Sequence, residues 1–202
     1  MKYINYDKNR YLKNDMPIFQ KMFRRYWDTN NKFLRLVYKI LFRYYRNKNL
    51  IDMSIDTKIG EGLYIDHPYC ITINPKAVIG KNCNIHKGVT IGQENRGVRK
   101  GTPVIGDEVW IGINSTIVGN VKIGNDVLIS PNSFVNCDIP DHSIVFGNPC
   151  IIKHRENATK NYIHRKVKEN ENSSSRNRIC RIKYRYIIST ASRSDGCGYH
   201  RR

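Results

Sequence analysis

Between residues 73 and 135 the chain sets isoleucine or valine at every sixth position: 73, 79, 85 and 91, then 105, 111, 117, 123, 129 and 135. Four residues on within these hexads stands a small or β-branched side chain, at Ala77, Cys83, Val89, Val109, Ser115, Val121, Val127 and Ser133. Glycine follows the aliphatic residue at 80, 92, 106, 112 and 124. A period of six excludes an amphipathic helix, whose apolar face returns every three or four residues. It fits one short strand and one tight turn per hexad. Three hexads then close a triangular coil of eighteen residues, and successive coils pair in parallel about 4.7 to 4.9 Å apart. The pattern predicts a mainly β protein, a hexapeptide parallel β-helix with aliphatic residues stacked inside.

The breaks in register carry as much information as the repeat. Ile59 and Ile65 keep the period, but the step from Ile65 to Ile73 is eight, so two extra residues enter just after His67. The step from Ile91 to Ile105 is fourteen, and its stretch GQENRGVRKGTPV has no aliphatic beat. That stretch predicts a polar loop extruded from a rigid coil. Loops held on rigid scaffolds are where binding and chemistry concentrate.

Flanking the repeat, three regions follow: an N-terminal helical segment (1–50), the β-helix (51–153), and a basic tail (154–202) whose composition after about Val167 is that of a disordered segment, with IKYRYII as one short strand within it. Residues 16–49 read as helical, with Phe33, Leu36, Val37, Ile40, Leu41 and Tyr44 on one stripe. Two readings of this stripe stand. It covers the open end of the first coil, or it lies on a membrane surface with Lys and Arg flanking its apolar face. The run FLRLVYKILF is broken by Arg35 and Lys39 and is too short to span a bilayer.

Charge is uneven. Residues 1–48 carry 13 Lys+Arg against 3 Asp+Glu, residues 49–150 carry 8 against 10, and residues 151–202 carry 14 against 4. Attraction to anions therefore belongs to the ends, and since no recognition motif accompanies it, no nucleic-acid partner is expected. The six cysteines (Cys70, Cys83, Cys137, Cys150, Cys180, Cys197) form no C-x-x-C pair, and no signal peptide opens the chain. They read as free thiols of a cytoplasmic protein.

The run IDMSIDTKIGEGLYIDH (51–67) resembles the opening of the β-helix in bacterial serine acetyltransferases, where an Asp stands fifteen residues before the His of an Asp-His pair. Asp52 and His67 have that spacing, and Asp66-His67 is the pair. KAVIGKNCNIHKGVTIG (76–92), VIGDEVWIG (104–112) and the closing DIPDHSIVFGNPC (138–150) extend the likeness to hexapeptide acyltransferases. The resemblance implies a left-handed β-helix, a homotrimer, and acetyl transfer from acetyl-CoA, as cosubstrate, to a hydroxyl. It implies coenzyme A contacts at Ile113, Pro131 and Asn136, mainly through backbone, with Lys153 near the phosphates, while a backbone N–H near Gly92, on the cosubstrate's side of the site, is the candidate donor to the tetrahedral oxyanion. Two departures stand out. Gly101-Thr102-Pro103 replaces the family's Arg-His-Pro, and the helical domain before the coils is reduced to about fifty residues. The phrases HPYCITINP and QENRGVRKGTP look closer to sugar O-acetyltransferases of surface polysaccharide biosynthesis, so the small-molecule acceptor is serine or a sugar.

Acetyl transfer needs a base to take the hydroxyl proton as oxygen attacks the thioester, and an imidazole suits that work at neutral pH. His67 is the candidate base. Asp52, almost one coil earlier, is placed to orient it as the carboxylate of a dyad, and Asp66 stands beside it. The alternative for His67 is a solvent-facing turn residue before Pro68. His86 and Trp110 read as outward-facing strand residues, and His142 as a turn. Two other functions compete with this one. A zinc hydratase needs three converging His, a cluster these six His lack, so no metal is expected. A non-catalytic β-helix assembly module would bind no acetyl-CoA.

Overall fold

The computed structural model describes residues 3–12 and 15–167. Cys180, Cys197 and the IKYRYII stretch lie outside them. Three helices come first: α1 (Tyr3–Lys8), α2 (Ile18–Asp28) and α3 (Lys32–Lys48). The segment read as one helical run is thus two helices, broken at Thr29–Asn31. Asn31 ends the break as an N-cap, its side chain accepting from the Leu34 N–H at 3.1 Å.

The coils stack as three parallel sheets. One holds β1 (Asp52–Met53), β4 (Thr72–Ile73), β7 (Thr90–Gly92), β10 (Thr116–Val118) and β13 (Phe134–Val135). A second holds β2 (Lys58–Ile59), β5 (Val78–Ile79), β8 (Val104–Ile105) and β11 (Lys122–Ile123). The third holds β3 (Tyr64–Asp66), β6 (Asn84–His86), β9 (Trp110–Ile111), β12 (Val127–Ile129), β14 (Ser143–Phe146) and β15 (Ile151–His154), the last antiparallel to β14. The architecture is the left-handed β-helix of hexapeptide repeats.

Register explains why the period is six. Thr72 pairs with Thr90 and Thr116 with Phe134, eighteen residues on in each case. Each sheet therefore stacks equivalent side chains: Ile73, Ile91, Ile117 and Val135 in one, Ile79, Ile105 and Ile123 in the next, Ile85, Ile111 and Ile129 in the third. All are buried. Ala77, Cys83, Val89, Val109, Ser115, Val121, Val127 and Ser133 are buried too, filling the narrow corners. Burial pushes the Cys83 thiol up to about 12, so it stays protonated.

Two corners turn through left-handed backbone. One uses Gly62, Asn82, Glu108, Asp126 and His142, the other Cys70, Gly88, Asn114 and Asn132, all at positive φ. Asn and Asp tolerate this conformation better than other side chains. A third corner brings backbones into contact, and there a Cβ on Gly106 would lie 2.7 Å from the Gly124 carbonyl. Between β7 and β8 the predicted loop leaves the coil as a hairpin closed by a two-way bridge between Glu94 and Gly101.

The first coil has no coil before it, and the helices satisfy its free edge. Arg24 donates to the Ile59 and Gly60 carbonyls, Arg10 to Gly62, Gln20 to Leu63 and Trp27 to Ile55. Asp7 accepts from the Gly62 and Leu63 N–H groups at 2.9 and 3.1 Å and pairs with Arg24 at 2.6 Å. Phe19, Met22, Phe23 and Phe42 supply the apolar cover. Of the stripe read as this cap, Leu41 packs against the core and Val37 is half-buried, whereas Phe33, Leu36, Ile40 and Tyr44 face outward and are exposed. The cap must offer hydrogen-bond partners to an edge of unpaired backbone, and the Phe, Leu, Val and Ile side chains of that stripe carry none.

Candidate active site

His67 sits in the eight-residue step that interrupts the hexads. Its φ is 48°, a conformation uncommon outside glycine, and the Tyr69 N–H donates to its carbonyl at 2.7 Å. The bulge throws the imidazole outward, where the side chain is 69% exposed. Its Nε2 lies 3.7 Å from Asp66 Oδ2. The same carboxylate oxygen lies 3.8 Å from Nε2 of His86, which stands opposite Asp66 on the next coil.

His86 is buried between strands and stacks on Trp110, ring centroids 4.4 Å apart. Its Nδ1 is 2.7 Å from the Ile111 carbonyl. A carbonyl only accepts, so Nδ1 carries the proton and Nε2 of the neutral ring holds a lone pair. Burial pushes the pKa of His86 below the usual value, against the Ile111 bond and the Asp66 charge, which pull it up. Asp66 is therefore flanked by an exposed imidazole and a buried one. Trp110 also packs edge-on against Tyr162, so this outward aromatic is covered by the chain's own later segment.

Asp52 reaches the same corner but not His67. Its N–H donates to the Ile71 carbonyl, and Asn49 Nδ2 donates to the Pro68 carbonyl, which ties this stretch to the His67 bulge. The Asp52 carboxylate, largely exposed, pairs with Arg46 at 3.5 Å. In this single chain the carboxylate beside His67 is that of Asp66.

A cavity of about 390 Å³ opens beside His67. Asp15, Tyr45, Asn49, Tyr64, Asp66 and His67 are among its lining residues, so it lies where the helices meet the first coil. Pro17, Ile18, Phe19, Ile65 and Pro68 supply apolar walls, and its volume suits a small molecule. Asp15, Tyr45, Asn49 and Tyr64 were not singled out in the sequence. Tyr64 alone gave a signal there, since it occupies an outward position of a strand beside Asp66. The others come from the helical region, whose periodicity says nothing about where it folds back.

The residues matched to coenzyme A contacts fall into two groups and one outlier. At the His67 corner the coils stack in single file: the Gly88 N–H donates to Tyr69, Asn114 to Lys87, and Asn132 to the Ile113 carbonyl. Ile113 and Pro131 thus stand on adjacent coils in line with His67. Gly92 pairs with Val118, and Asn136 follows Val135, which pairs with Ile117, so these two mark one end of a sheet. Lys153 is apart, exposed on β15, its ammonium 5.6 Å over the Phe146 ring. Among the described residues no group of three or more His, Cys, Asp or Glu is placed to hold a metal ion.

Residues 102–137 match the family model for the bacterial transferase hexapeptide (six repeats). Over 99 residues the chain is 39% identical to serine acetyltransferase 4 of Arabidopsis thaliana, covering 49% of this chain and 28% of that one. It is 38% identical to a serine acetyltransferase of Staphylococcus aureus, covering 49% and 46%. The soybean serine acetyltransferase complexed with serine superposes with a TM-score of 0.54 at 29% identity, over 66% of this chain and 55% of that one. The chain spans less than half the length of these curated relatives. Its coils form a hexapeptide-repeat β-helix similar in sequence and in fold to that of the serine acetyltransferases.

Proposed function

We propose that the protein transfers an acetyl group from acetyl-CoA to the hydroxyl of serine, with His67 as general base. The observation that carries this reading is the cavity beside His67 and Asp66, set on coils similar to those of serine acetyltransferases. The soybean relative was solved with serine bound, which supports a small hydroxyl acceptor of this kind.

Asp66 and Asp15 give the cavity two carboxylates, suited to an ammonium group on the acceptor. His67 then takes the hydroxyl proton as oxygen attacks the thioester carbonyl, and the imidazolium returns it to the departing thiolate of coenzyme A. Asp66 stabilises the imidazolium at its side. Asp52 joins it only if its carboxylate leaves Arg46. Coenzyme A runs down the corner from His67 past Ile113 and Pro131, with Gly92, Asn136 and Lys153 as further contacts, in a groove completed by a neighbouring subunit of a homotrimer.

The test is thiol release from acetyl-CoA with L-serine and, separately, with nucleotide-linked and lipid-linked sugars. Serine-dependent release is expected, falling by about 10² to 10⁴-fold in His67→Ala. Release with sugars alone would keep the base and replace the acceptor. Full activity in His67→Ala would remove His67 from the reaction, and no release with any acceptor would sink the acetyl-transfer reading.

A further inference from the structure

Helix α3 has two apolar faces, and only one of them is used. The inner face carries Phe42, buried with its ring 6.0 Å from Phe23 and 6.5 Å from Phe19. The outer face carries Phe33, Leu36, Ile40 and Tyr44 at steps of three, four and four, one row on a helix of 3.6 residues per turn. These four are between 54% and 71% exposed. A surface helix ordinarily places charged residues on this face. A contiguous row of large apolar side chains marks an interaction site, unlike scattered exposure.

Charge decides what fits there. Helix α3 carries Lys32, Arg35, Lys39, Arg43, Arg46 and Lys48 and not one Asp or Glu. Arg35 is spent on the Tyr26 ring and Arg46 on the Met53 carbonyl and Asp52. Lys32, Lys39 and Arg43 remain exposed, and Lys48, also exposed, holds its ammonium 5.0 Å over the ring of Tyr44 in the row itself. A second copy of α3 laid on the row would bring another cationic helix against the first, with no carboxylate on either to offset the repulsion. An anionic lipid surface complements both features at once. Its acyl boundary takes the aromatic and aliphatic row, and its headgroups take the ammonium and guanidinium groups.

We infer that α3 is a docking helix that lies in the interface of an anionic bilayer. It lies on the bilayer and does not cross it: among the described residues no helix is long and apolar enough to span a membrane. Tyr45, near the end of α3, and Asn49, just beyond it, line the cavity beside His67, so docking holds that cavity near the lipid surface. The inference does not depend on acetyl transfer.

The test is flotation of the full chain with phosphatidylcholine vesicles, with and without phosphatidylglycerol. The wild type is expected to float only with the anionic vesicles and to be released by salt. The double variant Leu36→Glu, Ile40→Glu changes two exposed side chains, so it should keep the wild-type circular dichroism and melting temperature while vesicle partitioning falls at least about tenfold. The basic C-terminal tail is intact in this variant, so the loss is assigned to the helix. Wild type that stays with the soluble fraction overturns the inference, as does a variant that floats equally well. A variant whose only change is a smaller oligomer by sedimentation also overturns it and makes the row a subunit contact.

Discussion

The stack of coils and the helical cap solve the same problem by opposite means. Inside the stack, each coil's backbone meets the next coil's backbone, and the rungs are interchangeable. At the first coil, side chains substitute for the missing neighbour, and they converge on one carboxylate: Asp7 holds Arg24, Gln20 and the Gly62 and Leu63 N–H groups together. Stability is spread along the coils and concentrated in the cap. The candidate site lies at the junction, where a coil supplies the proposed base and the cap supplies the walls of a cavity.

The largest effect should come from the cap. Asp7→Ala leaves the buried Arg24 charge without its counter-ion and two backbone donors unpaired, which costs about 3 to 5 kcal/mol. Ile111→Ala, in the middle of the stack, costs about 2 to 5 kcal/mol through the cavity it leaves. The two should differ in kind as well as size. Hydrogen exchange in Asp7→Ala should rise first in α1, α2 and the Gly60–Ile65 edge, while in Ile111→Ala it rises in the adjacent coils. Equal, global loss of protection in both would show that cap and coils melt as one unit and break the comparison.

A smaller effect tests whether the coil corners are as interchangeable as the rungs. Asn114 turns its corner at φ 56°. Asn114→Ala should cost about 1 kcal/mol, because a β-carbon is disfavoured there and the alanine loses the local polar compensation. Asn114→Gly should be close to neutral, since its equivalent one coil earlier is already Gly88. Melting temperatures of the two variants decide it, and a glycine variant as damaged as the alanine one would mean that the Asn side chain, not the backbone angle, holds the corner.

This contrast also explains what could be read from the sequence. Ile85, Ile111 and Ile129 announce themselves because each has the same surroundings one coil on. His67 announces itself because it interrupts that sameness. Asp7, Gln20 and Arg24 gave no signal, for a buried polar group is defined by partners distant in sequence. Most of the stripe on α3 lies away from the open edge for a related reason. Hydrophobic periodicity identifies a face that seeks cover, but the open edge of a coil also needs donors, and α2 carries both Phe19 and Phe23 and the Gln20 and Arg24 that bond the edge. Asp15, Tyr45 and Asn49 belong to the cavity only through the way the cap folds back.

The far end of the molecule sharpens the comparison with the smallest expected effect. There one carboxylate again gathers donors: Asp126 accepts from the Ala158 and Thr159 N–H groups, the Thr159 hydroxyl and His142 Nδ1, and so pins the segment after β15. Burial alone would raise the pKa of Asp126, but these hydrogen bonds together hold it below the usual carboxylate value. The bond to Asp126 raises that of His142. A lowered carboxylate stabilises the fold above its unfolded pKa of about 3.9 and loses that contribution as pH falls through the lower folded value. A raised histidine contributes fully below about 6.5 and loses its contribution as pH climbs through the raised value. Both contributions therefore hold between about pH 4 and 6.5. Hydrogen exchange, corrected for its intrinsic pH dependence, should show residues 155–163 best protected in that window. Protection should fall sharply in acid and only slightly toward alkaline pH, because the His142 pair is solvent-screened. In Asp126→Asn the acid step should vanish, with the segment loosened at every pH. An acid step that survives the substitution would place the titrating group elsewhere and leave the cap as the one end of the molecule whose closure rests on a single charge.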